Sequence, residues 1–342
     1  MPAPTRHFEV SRITLSQLIG INTSEQTFRA RLFVEFLIRD GEDDEHLMKQ
    51  SDEWPTDTNL PSALWYANQM QWTNAVKSEF EVLDCNVFGS KGNIVVQTRV
   101  EGTFTEKFEL QSFPYDCQSC TFIMMFACAQ EGHIPVAIDL PPGFANYVDV
   151  ENFTLSNHYH LDALMDVSVD VSRGRTRTFP ILKMTARARR VAGFYEINVC
   201  APLGSFVLMT LTSFCLEPDN VEGRLSVSLT MVLVAVAYKF ALTTMLPPLS
   251  YLTLLDKYVL ACSGIIALIV AQNAVLGLTL IRNHIEVPAF EAGCVGLVMA
   301  LLVALHVWFV CRVRQVRAFG DNVKSLIPQT PAGNAAYEKL EA

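Results

Sequence analysis

Up to Arg190 the chain mixes polar and apolar residues between regular turn signals, and after Gly193 it becomes almost wholly apolar. The apolar part holds four runs, Phe194–Cys215, Val227–Leu246, Tyr258–Ile281 and Ala292–Cys311. Each has about the 20 residues that a helix needs to cross roughly 30 Å of hydrocarbon. With their flanks they predict helices over about 194–215, 225–246, 256–281 and 289–318. Four such runs within about 120 residues exceed what a soluble domain of that size can cover, so the chain reads as spanning a membrane four times.

The polar part predicts strands over Phe28–Arg39, Glu79–Phe88, Asn93–Phe104, Cys120–Phe126, Leu161–Val171 and Phe179–Arg189. Turn signals separate them at Asp40-Gly41, Gly89-Ser90-Lys91-Gly92, Pro141-Pro142-Gly143 and Ser172-Arg173-Gly174. Many short strands at this spacing predict an all-β sandwich, preceded by one short helix at about Thr14–Ile19. The expected organisation is a β domain over 1–190, a four-helix transmembrane domain over 191–319 and a polar tail over 320–342 with Pro328 and Pro331.

Composition narrows the function classes. Of the 342 residues 50% are hydrophobic and 18% charged, against roughly 25% charged in soluble proteins, which excludes disorder and collagen-like repeats. The net charge of −9 argues against a nucleic-acid partner, which needs a basic stripe for phosphates. None of the nucleophile-elbow, metalloprotease, phosphate-loop or dinucleotide-binding patterns occurs, so an enzyme is not expected. Cys117-x-x-Cys120 lacks a second pair at zinc spacing, and the acidic run Asp40, Glu42, Asp43, Asp44, Glu45 lacks EF-hand spacing. No metal or cofactor is expected. Cys85, Cys117, Cys120 and Cys128 precede the apolar runs, while Cys200, Cys215, Cys262, Cys294 and Cys311 read as small apolar filling. His158 and His160 share one side of a strand, as a proton sensor or as plain surface residues.

The opening Met1-Pro2-Ala3-Pro4 does not read as a secretory leader, whether or not one has been removed, and basic residues crowd the side of the membrane that carries both termini, which alone would put the β domain in the cytoplasm. The sequons at Asn22 and Asn152 point to the outside instead.

Within the second run Ser226, Thr230, Leu233, Ala237, Phe240 and Thr244 are spaced 4, 3, 4, 3, 4, a mean of 3.6, and so share one helical face. Glu222 continues that face at the membrane edge. Small polar residues that aid helix packing are one reading. The other is a pore, in which a ring of carboxylates favours cations and rings of bulky apolar side chains gate by dewetting. Lys239 falls about 140° around the helix from Ser226 and is expected to reach Glu196 in the first run.

Phe113-Pro114-Tyr115-Asp116-Cys117-Gln118-Ser119-Cys120 resembles the F-P-F-D-x-Q-x-C signature of Cys-loop receptors, the pentameric ligand-gated ion channels. Arg190, twelve residues before Pro202, the stripe of the second run with Pro247 at its end, and four spans after a β domain fit the same family in order. The resemblance implies an extracellular all-β sandwich followed by a four-helix transmembrane domain, assembled as a homopentamer around a central pore. It implies a multi-pass plasma-membrane protein opened by a small-molecule agonist and surrounded by membrane lipids. Glu222, Ser226 and Thr230 would form the selective end of the pore, and Leu233, Ala237 and Phe240 its gate. Tyr115, Asp116, Arg190 and Pro247 would couple the β domain to that gate, although Asp116 and Arg190 would equally pair for stability alone. With Glu222-Gly223 before Arg224, where anion-selective relatives carry Pro-Ala, permeant monovalent cations are expected.

The family's first loop cysteine would stand at position 106, which is Glu106, so the loop disulfide is expected to be absent. The ligand site is less marked. Trp65 and Phe126 are the aromatic candidates, and Arg173 and Arg175 would meet an anionic ligand or simply face water. The competing function is a membrane-anchored binding protein that does not conduct.

Overall fold

The computed structural model describes residues 6–39, 70–90, 93–126, 136–151, 153–173, 178–243, 250–278 and 287–325. They form two compact units, one holding the strands and the other the helices together with Glu109–Asp116.

The first unit is a β-sandwich. One sheet runs β4 (Ala75–Ser90), β5 (Asn93–Thr105), β2 (Thr27–Ile38), β1 (Arg6–Asn22), β7 (Val136–Asp139), with β8 (Ala145–Val148) also on β1. The second runs β10 (Asp166–Arg173), β11 (Thr178–Arg190), β6 (Cys117–Phe126), β3 (Met70–Trp72), with β9 (Tyr159–Leu161) on β11. Burial along β2 and β6 alternates residue by residue, the signature of strands with one face on a core. Phenylalanines from the two sheets interlock there. Phe8 meets Phe126 at 4.8 Å between ring centroids, Phe28 meets Phe122 at 5.1 Å edge to face, and Phe104 meets Phe122 at 4.8 Å.

Two expectations need correction. The short helix at Thr14–Ile19 is part of β1. Register shifts between Val10 and Arg12, Leu15 and Gln17, and Leu18 and Gly20 insert extra residues into that strand. A bulge turns a two-residue step into three, so buried Leu15 and Leu18 take a spacing that resembles a helix. The strand expected over Leu161–Val171 is broken between β9 and β10, where the Asn146 side chain clasps Met165 through Nδ2 to its carbonyl at 2.7 Å and Oδ1 from its N–H at 3.2 Å.

Glu106 stands where the family's first loop cysteine would be. Its carboxylate accepts the Thr121 N–H at 3.0 Å and the Lys107 N–H at 3.1 Å, next to the fully buried thiol of Cys120. Burial pushes that thiol well above its ordinary pKa.

Among the described residues the second unit contains four helices long and apolar enough to cross a membrane: α1 (Gly193–Cys215), α2 (Val221–Thr243), α3 (Leu254–Leu276) and α4 (Val287–Ser325). α1 is irregular, passing through a π turn at Glu196–Cys200 and ending in a 3-10 segment at Leu211–Cys215. Pro202 directly follows the π turn in the interior of α1. α3 starts with a capping box, in which Thr253 and Asp256 each take the other's backbone N–H.

Candidate functional site: the α2 stripe and the Phe113–Asp116 loop

α2 begins after Asn220, whose Oδ1 accepts the Gly223 N–H at 2.9 Å. A Cβ at Gly223 would come within 2.8 Å of that oxygen, so the capping turn favours glycine there. Glu222 sits in the first turn, where the helix dipole favours a carboxylate.

Along α2 Glu222, Ser226, Thr230, Leu233, Ala237 and Phe240 are all exposed in the subunit, Leu233 by 69% and Phe240 by 70%. Thr244 lies outside the described residues. The buried positions are Arg224, Ser228, Ala235 and Leu242. At about 100° per residue Ala235 lies roughly 180° around the helix from Ser226, and Arg224, Ser228 and Leu242 fall within about 20° of the same line. α2 therefore packs on its own subunit with one face and leaves the opposite face, the hydroxyl and apolar stripe, uncovered. The Thr230 hydroxyl donates back to the Ser226 carbonyl at 2.7 Å, leaving its lone pairs on the open side.

Arg224 takes the other direction. Its guanidinium is fully buried, donating to the carbonyls of Leu216 and Glu217 and to the Glu291 carboxylate at the start of α4. The nearest basic residue to Glu222 thus points away from the stripe, its charge matched by Glu291.

The Phe113-Pro114-Tyr115-Asp116 loop belongs to the helical unit. The Gln111 and Phe113 carbonyls accept the Leu254 and Leu255 N–H groups at 3.0 and 3.2 Å, serving the otherwise orphaned start of α3. The Tyr251 hydroxyl accepts the Leu110 N–H at 3.0 Å. Asp116 and Arg190 form a two-point ion pair, Nε to Oδ1 at 2.9 Å and Nη2 to Oδ2 at 3.2 Å, and the Arg190 N–H donates to the Asp116 carbonyl at 3.1 Å. The same guanidinium lies 4.9 Å over the Phe113 ring, which meets Tyr195 edge to face at 4.8 Å.

Tyr115 donates its hydroxyl to Glu196 Oε1 at 2.8 Å, and Arg317 of α4 reaches the same oxygen at 3.3 Å while lying 5.2 Å over the Tyr115 ring. Burial, then the Glu196 carboxylate, holds the Tyr115 phenol above its ordinary range. Tyr115, Asp116 and Arg190 are thus brought together, whereas Pro247 lies outside the described residues. Glu196 is not the partner of Lys239: Tyr115 and Arg317 occupy it, and Lys239 is exposed on α2. Sequence reading missed Arg317 and Glu291, and a charge at each end of the last apolar run was the available signal.

The expected ligand site fares differently. Phe126 is fully buried between the sheets against Phe8 and Phe36, because β6 alternates and Phe126 falls on its inward phase; it is no part of an open aromatic cage. Trp65 and Arg175 lie outside the described residues, and of Arg173 only the backbone, at the end of β10, is described. Among the described residues no cluster of three or more metal-ligating side chains occurs.

No family model matches the chain. Curated relatives do. The glutamate-gated chloride channel subunit beta of Haemonchus contortus is 25% identical over 177 residues, 50% of this chain and 39% of that protein. The pH-sensitive chloride channel 2 of Anopheles gambiae is 25% identical over 183 residues, 51% of this chain and 29% of its own length. The gamma-aminobutyric acid receptor subunit beta of Caenorhabditis elegans is 20% identical over 217 residues, 63% and 38% of the two chains. The chain spans less than half the length of these relatives.

Among the described residues a β-sandwich is followed by four helices long and apolar enough to cross a membrane, the organisation of a multi-pass membrane protein. With its signature loop the chain is similar to these named channel and receptor subunits, and the likeness to Cys-loop receptors rests on that loop and on the order of its elements.

Proposed function

We propose that the chain is one subunit of a ligand-gated ion channel of the plasma membrane, five identical copies of which surround a pore lined by α2. The supporting observation is the opposition of the two faces of α2: the buried face carries the one arginine of the helix, and the open face presents Glu222, Ser226, Thr230, Leu233, Ala237 and Phe240 in helical register. Five such faces around an axis cover one another's apolar surface and leave rings of carboxylate and hydroxyl at one end, with rings of Leu233 and Phe240 above. Leu233 and Phe240 gate by dewetting. The loop of Tyr115 and Asp116, held to Arg190, Glu196 and the start of α3, passes the agonist signal from an extracellular β domain to the helices.

Cation permeation follows in this reading from the exposed Glu222 and the buried, neutralised Arg224. A second reading, anion permeation, is favoured by the relatives named chloride channels. Currents of Glu222→Gln against the wild type under a dilution gradient of sodium chloride decide between them. A reversal potential that starts near the sodium potential and moves toward zero in the variant supports cations. One that sits near the chloride potential in both supports anions. Absence of current from surface-confirmed protein in a gate-loosened variant returns the function to a non-conducting binding protein.

A further inference from the structure

A buried amide near the C-terminal end of α3 lacks a partner for one of its two ends. Asn273 is fully buried and its Nδ2 donates to Ser213 Oγ at 3.1 Å, but Oδ1 has no hydrogen-bond partner. Turning the amide over moves the problem without removing it: Oδ1 then takes the Ser213 hydroxyl proton, and Nδ2 is stranded. One residue earlier both polar atoms of Gln272 are shielded from solvent and also unpartnered.

The buried hydroxyls of Thr210 and Ser228 do not supply the missing bonds. The Thr210 hydroxyl donates to the Phe206 carbonyl at 2.7 Å, and that of Ser228 to the Arg224 carbonyl at 2.9 Å. A second subunit does not supply them either, because the orphaned atoms are already enclosed within one subunit. An unpaired amide end is costly where neither bulk water nor another donor reaches it. The missing group must be small, enclosed, and able both to give and to accept a proton, since Oδ1 needs a donor while the Ser213 hydroxyl still has a proton to give. Water meets these conditions, and enclosed waters typically serve about three otherwise unsatisfied polar groups.

We propose that each subunit binds an ordered internal water between the 3-10 segment Leu211–Cys215 and α3, donating to Asn273 Oδ1 and accepting from the Ser213 hydroxyl. The Gln272 amide extends the same hydrated layer by one residue. The site lies behind the stripe-bearing helix, on the side of the bundle away from the open face of α2. A water at this joint lets the irregular end of α1 shift against α3 without stranding an amide, which a direct contact would not.

A map of the full-length protein in lipid nanodiscs, at a resolution where surface waters are visible, is the direct test. Density within hydrogen-bond distance of both Asn273 and Ser213 is expected; its absence while other waters are resolved overturns the proposal. Asn273→Leu gives a second test by thermal unfolding. The leucine removes the Nδ2–Ser213 bond whether or not water is present, so a fall in Tm supports the proposal only together with loss of the density from the variant's map, and an unchanged or raised Tm, or a fall with the density retained, overturns it. Should that variant fail to assemble, Ser213→Ala is expected to weaken or abolish the density, and density unchanged in that variant overturns the bridge.

Discussion

Breaking the Asp116–Arg190 pair tests how the signature loop is held. Asp116 is 1% and Arg190 11% exposed at the side chain, and two hydrogen bonds at 2.9 and 3.2 Å join them. Exposed ion pairs contribute about 0–1 kcal/mol, whereas removing one partner of a buried pair costs about 3–5 kcal/mol because the other charge is left without compensation. Burial places this pair in the second class. Asp116→Ala or Arg190→Met should each cost about 3–5 kcal/mol, which at roughly 2–4 °C per kcal/mol lowers Tm by about 6–20 °C. The double variant should regain much of that loss, since no lone charge remains. Thermal unfolding of the solubilised full-length protein, followed by size-exclusion fluorescence, reads all four species. Single variants within about 2 °C of the wild type would place the pair with exposed ones and refute the reasoning. Currents from the double variant then separate roles: normal gating with restored stability leaves the pair structural, and restored stability without gating makes it part of the linkage.

Glu106→Ala removes the acceptor of the Thr121 and Lys107 N–H groups and should destabilise the β domain by about 1–3 kcal/mol, readable as a lower Tm; an unchanged Tm would contradict the clasp. Glu101, hydrogen-bonded by Arg31 and Arg29, is held below the usual carboxylate range. Its contribution is full above the unfolded carboxylate value of about 4.3 and is lost as pH falls through the lower folded value, so Glu101→Gln should flatten the acid limb of stability below about pH 4. An acid limb identical to the wild type would remove Glu101 from the account. In native protein a maleimide should label the exposed Cys117 and spare the buried, high-pKa Cys120, as peptide mass spectrometry would report; equal labelling of both would contradict the burial of Cys120.

The helices were legible because an apolar run of about 20 residues suits a membrane span and little else, and long strands such as β2 and β5 because one face is buried along their whole length. β1 was misread at Thr14–Ile19 because its bulges break the two-residue period on which strand reading depends. The short strands β3, β7, β8 and β9, each of three or four residues, carry too little pattern to be seen before their partners are known. At the site the stripe on α2 was visible as local periodicity. The partners of its charges were not: Arg224 with Glu291, and Glu196 with Tyr115 and Arg317, join residues 67 to 121 positions apart, and spacing within one helix carries no trace of such pairs.

In the proposed function the open face of α2 lines an ion pore. Leu233→Thr, which makes an apolar position 69% exposed near the middle of α2 polar, should in that reading open the channel without an agonist. Recorded beside the wild type from surface-confirmed protein under a sodium chloride gradient, the variant should pass a sustained current that Glu222→Gln alters in reversal potential. Silence from Leu233→Thr, or a current whose reversal Glu222→Gln leaves untouched, would contradict the account.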